Sequence, residues 1–271
     1  MVDRNESRPA PRRAAADPPP EPASLTFGQH VVAFVKELTA VVIGAVIVAA
    51  LLRSFVGQMF LIPSVSMENT LRVQDRVVVQ KVNRIHRGQV VVFKDPGRWL
   101  TGPPAAERGR IGRALQFVGV LPDPATEHLI KRVIGVPGDQ VICCDSAGRI
   151  TVNGQPLEES GYLYTSVSGE TVAPSTIPFE VVVSRDHYFM MGDNRNRSRD
   201  SRCHLNDVRD GGLKGENAFV AEDLVVGSAM GVVWPFGRRH TLPIPDTFRT
   251  VPPGTSAPGT PEISAGPEAN C

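Results

Sequence analysis

Leu38 to Leu52 is a run of fifteen residues without a charge, and apolar character resumes beyond Arg53 at Phe55-Val56 and Met59-Phe60-Leu61-Ile62. Fifteen residues fall short of the ~20 that cross a bilayer as a helix. Arg53 lies near one end, however, where its head can snorkel to the interface while its stem stays in lipid. One transmembrane helix over 35–56 is therefore expected. A cleavable targeting segment is the competing reading, but the region ahead of the apolar run is too long for the charged leader of such a segment. Arg4, Arg8, Arg12, Arg13 and Lys36 precede the span and favour a cytoplasmic N-terminus, with Arg53 opposing slightly. On that reading the chain crosses the cell membrane once, and everything from Phe60 onward is extracytoplasmic.

The Pro-, Ala- and Arg-rich start predicts a disordered cytoplasmic tail over 1–34, and the Pro- and Gly-rich end predicts another over 240–271. Between span and tail the chain reads as β. Arg76 to Val82 and Gln89 to Phe93 are short β-branched runs separated by the turn residues His86-Arg87-Gly88. Leu129 to Val136 is closed by Pro137-Gly138-Asp139. Gln140 to Cys144 and Arg149 to Val152 flank Asp145-Ser146-Ala147-Gly148 as a hairpin, with Asn153-Gly154 turning next. Phe179 to Val183, Tyr188 to Met191 and Leu224 to Trp234 complete a mainly antiparallel β domain over 57–239. Helical periodicity is weak after Ile62, except around Ile111 to Val118. Pro96 to Thr126 reads as a long surface loop whose Trp99, Leu100, Leu115 and Phe117 either touch the membrane or pack locally.

A net charge of +1 advertises no nucleic-acid partner. Arg195, Arg197, Arg199 and Arg202 are interspersed with acids and lack an aromatic platform, so they read as an ion-paired surface. The six histidines make no H-E-x-x-H, and neither a metal nor a cofactor is expected. Adjacent Cys143 and Cys144 do not readily bridge each other, and a pairing of either with Cys203 is left open by spacing.

Chemistry concentrates in three segments. Ser64 and Ser66 lie in Ile62-Pro63-Ser64-Val65-Ser66-Met67, just past the apolar run. As a bare pattern they also suit the cap of a short helix over Met67 to Leu71. A serine hydroxyl attacks only when a base takes its proton, and lysine is an accepted base in place of histidine. The chain carries 24 Arg against 5 Lys, yet Lys131 stands directly before Arg132. Arginine cannot lose its proton, whereas a buried lysine can. If Leu129 to Val133 is a strand, Lys131 shares a face with Leu129 and Val133, which would supply an apolar setting. An isolated strand lysine is otherwise simply solvated. The backbone N–H of Ser66 and the hydroxyl of Ser64 lie on one side of an extended chain and could meet a developing oxyanion. Gly192-Asp193-Asn194 is a turn by composition.

Taken in order, the apolar anchor, Ile62 to Met67, Gly88 to Phe93, Ile130 to Asp139, Met191 to Arg195 and Ser198 to Arg202 resemble the bacterial type I signal peptidases. The resemblance runs from about Phe60 to Phe236. It implies that Ser66 is the nucleophile, Lys131 the general base and Ser64 the side chain completing the oxyanion hole. It implies that Ser198 orients the lysine, that Asp200 and Arg202 form a supporting ion pair, and that Asp193 and Arg132 lie beside it. Phe60, Ile62, Leu129 and Ile130 would wall shallow pockets accepting small residues, hence an Ala-x-Ala preference. The implied fold is an antiparallel β catalytic domain with a smaller β insert at about 140–178. The implied partners are preproteins bearing signal peptides and membrane lipid, with export machinery compatible.

The sequence departs from the family pattern at Asn69, where many members have proline, at Asn196-Arg197, in place of an acidic-polar pair, and at Cys203-His204, in place of aromatic residues. The Pro96 to Thr126 stretch lies outside the family's minimal core. Two other classes compete. A catalytically inactive membrane-tethered binding module would need a broken Ser66–Lys131 pair. A self-cleaving regulator would need a DNA-binding helix pair near the N-terminus.

Overall fold

The structure, a computed structural model, describes residues 26–55, 57–81, 84–97, 99–100, 109, 112, 128–208 and 211–265. Helix α1 (Phe27–Phe55) starts eight residues earlier than the sequence suggested. The start signal is one half of a capping box: the Thr26 N–H donates to Gln29 Oε1 at 2.8 Å, and the bond from the His30 N–H to the Thr26 carbonyl is the first regular helical turn. Thr26-x-x-Gln29 thus satisfies backbone groups that a helix end leaves bare. Its stretch Phe27–Val48 is long and apolar enough to cross a membrane. Phe34, Val41 and Ile47 are more than half exposed, as lipid-facing side chains would be.

The remainder of the chain builds two antiparallel sheets. β1 (Gln58–Leu61), β2 (Arg76–Gln80), β3 (Val90–Lys94) and β4 (His128–Gly135) belong to the first. β5 (Gln140–Cys143), β6 (Ile150–Val152), β7 (Gln155–Pro156) and β8 (Phe179–Val182) belong to the second. β9 (His187–Met191), β10 (Phe219–Ala221), β11 (Val225–Trp234) and β12 (His240–Thr241) return to the first, and β13 (Glu262–Ala265) to the second. The large sheet runs β1-β2-β11-β3-β4-β9-β10, with β12 beside β11, and the small one β13-β8-β5-β6-β7. The mainly β, antiparallel fold is the one the sequence implied.

Strand alternation sorts the core. On β4, Ile130 packs with Phe60, Ile62, Met67 and Val79. Leu129 and Val133, one register step away, pack with Phe93, Trp99 and Met190 on the opposite side. A third cluster, including Val141, Ile150, Phe179, Phe189 and Phe219, joins the small sheet to the end of the large one.

Several expectations need correction. The small sheet outruns an insert ending at 178, because it recruits β8 and the late β13. The segment 240–265 is ordered, not a disordered tail. Phe248 and Val251 are buried, Thr255 N–H donates to the Gly138 carbonyl, and Ile263 pairs across to Val181. Proline and glycine composition misled here because extended, proline-containing chain can still fill a groove. Gly138 shows the fit: its φ is +85°, and a Cβ there would strike the Thr255 carbonyl oxygen. Trp99 is not a membrane-facing loop residue; it is 2% exposed. Leu115, Phe117, the 111–118 stretch and most of 96–126 lie outside the described residues. Cys143 and Cys144 are bridged to each other, across a cis peptide bond that brings their Cα atoms to 3.0 Å.

Candidate active site

Ser66 begins a turn rather than a helix. Glu68 N–H donates to the Val65 carbonyl and Leu71 N–H to the Met67 carbonyl, while Met67 and Leu71 bury completely below. The capping reading of Ser66 therefore gives way to another partner. Lys131 Nζ donates to Ser66 Oγ at 2.7 Å, with both residues at most 5% exposed. Lys131 sits in mid-β4 opposite Val91. It is held by an eight-residue strand of which seven residues are buried.

Burial is the main influence on this amine. It pushes Lys131 down to about 8, against the pull of Asp200 and then Asp193, with Arg202 adding to the fall. A charged amine loses its hydration there without a carboxylate in contact to replace it. Ser64 Oγ lies 3.3 Å from Ser66 Oγ and is exposed.

Two buried ion pairs support the site. Arg132, the residue after the lysine, projects to the other side of β4. It grips Asp193 with two bonds, Nε–Oδ1 at 2.8 Å and Nη2–Oδ2 at 2.6 Å. It also donates to the Gly88 carbonyl and lies 4.3 Å over the Tyr162 ring. Thr70, four residues beyond Ser66, donates to Asp193, so the nucleophile's turn is fastened to the same carboxylate. The second pair is Arg202 with Asp200, bonded at 2.9 Å through both Nε and Nη2. Burial alone would raise the Asp200 carboxyl, yet the Arg202 guanidinium and the Gly192 N–H hold it below the usual carboxylate range. Both pairs are planar two-point contacts, the geometry in which arginine is not replaceable by lysine.

The two segments meet at Gly192. Asn194 N–H donates to the Ser66 carbonyl at 3.0 Å. A Cβ on Gly192 would run into the Ser198 side chain and the Ser66 carbonyl oxygen. Gly192→Ala should therefore cost about 1–3 kcal/mol by overpacking, and should lower turnover more than thermal midpoint, because the displaced group is the nucleophile's own turn. A variant with wild-type turnover would show that the contact is slack.

Ser198 differs from expectation. It is buried, but its hydroxyl has no hydrogen-bond partner and packs on Gly192 instead of bonding to Lys131. It contributes to holding Asp200 low without meeting bonding geometry. Among the expected pocket residues, Phe60, Ile62 and Ile130 come together in one cluster, whereas Leu129 belongs to another. All four are at most 8% exposed. Thr70, Tyr162 and Asn194 also neighbour the site; Thr70 follows the Ser66 segment and Asn194 the Gly192-Asp193 turn, but Tyr162 carries no local signal in the sequence.

A serine hydroxyl hydrogen-bonded to a buried amine within an antiparallel β domain is an arrangement compatible with a serine peptidase. The family model for signal peptidase, peptidase S26, matches residues 35–234. A probable signal peptidase I of Mycobacterium leprae is 37% identical over 214 residues, covering 68% of this chain and 71% of that one. Signal peptidase I of Mycobacterium tuberculosis is 34% identical over 224 residues, 75% and 74% of the two chains. Signal peptidase I U of Bacillus subtilis is 29% identical over 214 residues, 76% and 92%. A crystal structure of a signal peptidase I from Enterococcus faecalis aligns over 54% of this chain and 97% of that one, at 19% identity and a TM-score of 0.28. The chain belongs to the bacterial type I signal peptidases, whose work is the removal of signal peptides.

Proposed function

We propose that this protein is a membrane-anchored endopeptidase cutting preproteins after small residues in an Ala-x-Ala pattern, with Ser66 as nucleophile and Lys131 as general base. The observation that carries the reading is the 2.7 Å contact between a buried amine and a buried hydroxyl. In the working state the amine is neutral and its lone pair accepts the Ser66 proton as Oγ attacks the scissile carbonyl carbon. The oxyanion is met by the Ser66 N–H and the Ser64 hydroxyl. When the tetrahedral centre collapses, the C–N bond breaks and the leaving amine takes the proton from Lys131. A water then gives a proton to the Lys131 amine as it attacks the ester carbonyl; on collapse the ester C–O bond breaks, the new carboxylate leaves, and the proton passes from Lys131 to Ser66 Oγ. No step calls for a metal or cofactor.

Arg132–Asp193 and Asp200–Arg202 act by positioning. The first fixes β4 against the serine turn, and the second fixes the turn after Ser198. Ser198 itself closes the site over Gly192. Phe60, Ile62 and Ile130 cluster with Met67 next to Ser66, where shallow pockets would suit alanine side chains and turn away larger ones, while Leu129 packs on the opposite side of β4.

Helix α1 serves as the single anchor, with the N-terminus cytoplasmic and the residues beyond it outside. Holding enzyme and signal peptide on one membrane surface raises their effective concentration without any new contact. The test is incubation of the purified protein with a preprotein, beside its Ser66→Ala variant, with the new N-terminus read by mass spectrometry. A new N-terminus following an Ala-x-Ala sequence in the wild type alone is expected. Cleavage by the variant would remove Ser66 from the mechanism.

A further inference from the structure

Trp99 and His204 lie in two of the places where this chain leaves its family's pattern, the Pro96 to Thr126 stretch and the Cys203-His204 pair. The structure joins them. The indole and imidazole rings stack with centroids 4.9 Å apart and planes within 7°. Around the stack runs a closed ring of bonds. Trp99 Nε1 donates to the Asn217 carbonyl at 2.8 Å, Asn217 Nδ2 donates to Asp207 Oδ2 at 3.1 Å, and His204 Nδ1 meets the same Asp207 oxygen at 2.6 Å. Asp95 secures the approach, its carboxylate accepting from the N–H groups of Gly97, Trp99 and Leu100. Phe93 on β3 meets the indole edge-on at 5.6 Å.

His204 ends the 3-10 turn Ser201–His204, and Asp200 caps that turn's start by accepting from the Arg202 N–H. Ser201 Oγ accepts from the Met190 N–H on β9, fixing the middle of the turn. The stack on Trp99 fixes its far end. We infer that Trp99 is a positioning residue for the reaction: stacked on His204, it holds the turn that carries Asp200 and Arg202, and so keeps water from the Lys131 amine. This rests on the reading of Lys131 as the base.

The charged groups facing each member are few. Asp207, Arg199 and Asp200 act on His204, whose burial pushes it below its usual value. The ring is therefore neutral near pH 7, donating from Nδ1 to Asp207 and leaving Nε2 buried without a partner. Asp200, Asp193 and Arg202 act on Lys131. Because burial outweighs those charges at Lys131, loosening the turn and admitting water raises the amine's pKa, while any retreat of Asp200 is the smaller effect.

The experiment follows Lys131 directly. Full-length protein in detergent, carrying isotope-labelled lysine, is titrated by NMR, with the Lys131 signal assigned by its loss in Lys131→Met. Peptide turnover is measured in parallel. Trp99→Leu keeps a buried apolar side chain but removes both the stack and the indole N–H. The expected result is a Lys131 midpoint raised by about half a unit or more, with kcat down about tenfold and KM within about threefold. Trp99→Phe, which keeps a flat ring, should restore kcat to within about threefold. A lowered thermal midpoint with the Lys131 titration and kcat unchanged would reduce Trp99 to a packing residue and overturn the inference. If Trp99→Leu does not fold, His204→Leu removes the stack from the other side and carries the same test. If the wild type cleaves no peptide, the proposed function fails, and the NMR midpoints still decide whether Trp99 governs the amine.

Discussion

Lys131→Arg is expected to be inactive, with kcat/KM down by at least about 10⁴-fold, near the loss seen when a catalytic serine or its base is removed. The substitution keeps a positive charge and a long stem, so an electrostatic role for Lys131 would survive it. A base would not, since a guanidinium holds its proton at any usable pH. Lys131→Met separates the two causes further. It keeps the stem beside Val91, removes the charge and should fold at least as well, because nothing buried then needs neutralising. Both variants should keep the antiparallel β signature in circular dichroism while cleaving no faster than Ser66→Ala. A retained rate in Lys131→Arg would make the 2.7 Å contact to Ser66 incidental.

The second large effect falls on stability. Asp200→Ala leaves the Arg202 guanidinium, 2% exposed, without its carboxylate. Its remaining partners are the Arg195 carbonyl and the Ser175 hydroxyl, neither of them charged. Breaking one side of a buried pair costs about 3–5 kcal/mol, mostly the penalty of stranding the other charge. Urea unfolding should register that loss, and the double variant Asp200→Ala/Arg202→Met should recover much of it. A loss below about 1 kcal/mol, the range of exposed pairs, would mean that water reaches Arg202 freely. That would also remove the dry surroundings on which Lys131 depends.

Much of this arrangement could be read from the chain, and the parts that could not have a common cause. The β runs were legible because Val77, Val79, Val91 and Val133 repeat at the spacing a sheet buries, and because Pro137-Gly138-Asp139 and Asn153-Gly154 mark where strands turn. The face shared by Leu129, Lys131 and Val133 followed from alternation alone, and two of its members do pack together. Ser66 and Lys131 stand out only through the ordered set of motifs, since alone the one also suits a helix cap and the other a solvated strand; the structure brings their side chains to 2.7 Å. The ordered stretch 240–265 was not, since β13 is four residues long and acquires its partner about eighty residues upstream. Trp99 was hidden for the same reason. Its indole partner is Asn217, 118 residues away, and nothing local separates a buried tryptophan from a surface one. The start of α1 is different: Thr26-x-x-Gln29 is a local signal that hydropathy overrode. Ser198 is placed near the lysine only through the resemblance, and its hydroxyl lies against Gly192 without bonding to Lys131.

The pH dependence of kcat/KM on an Ala-x-Ala peptide bears most directly on whether Lys131 works as a neutral amine. Because the base must be unprotonated, the rate should climb about tenfold per pH unit through the range below about 8 and level off above it. A profile that stays flat from pH 8 down to mildly acidic values would mean that no group with the properties of this buried lysine limits the reaction.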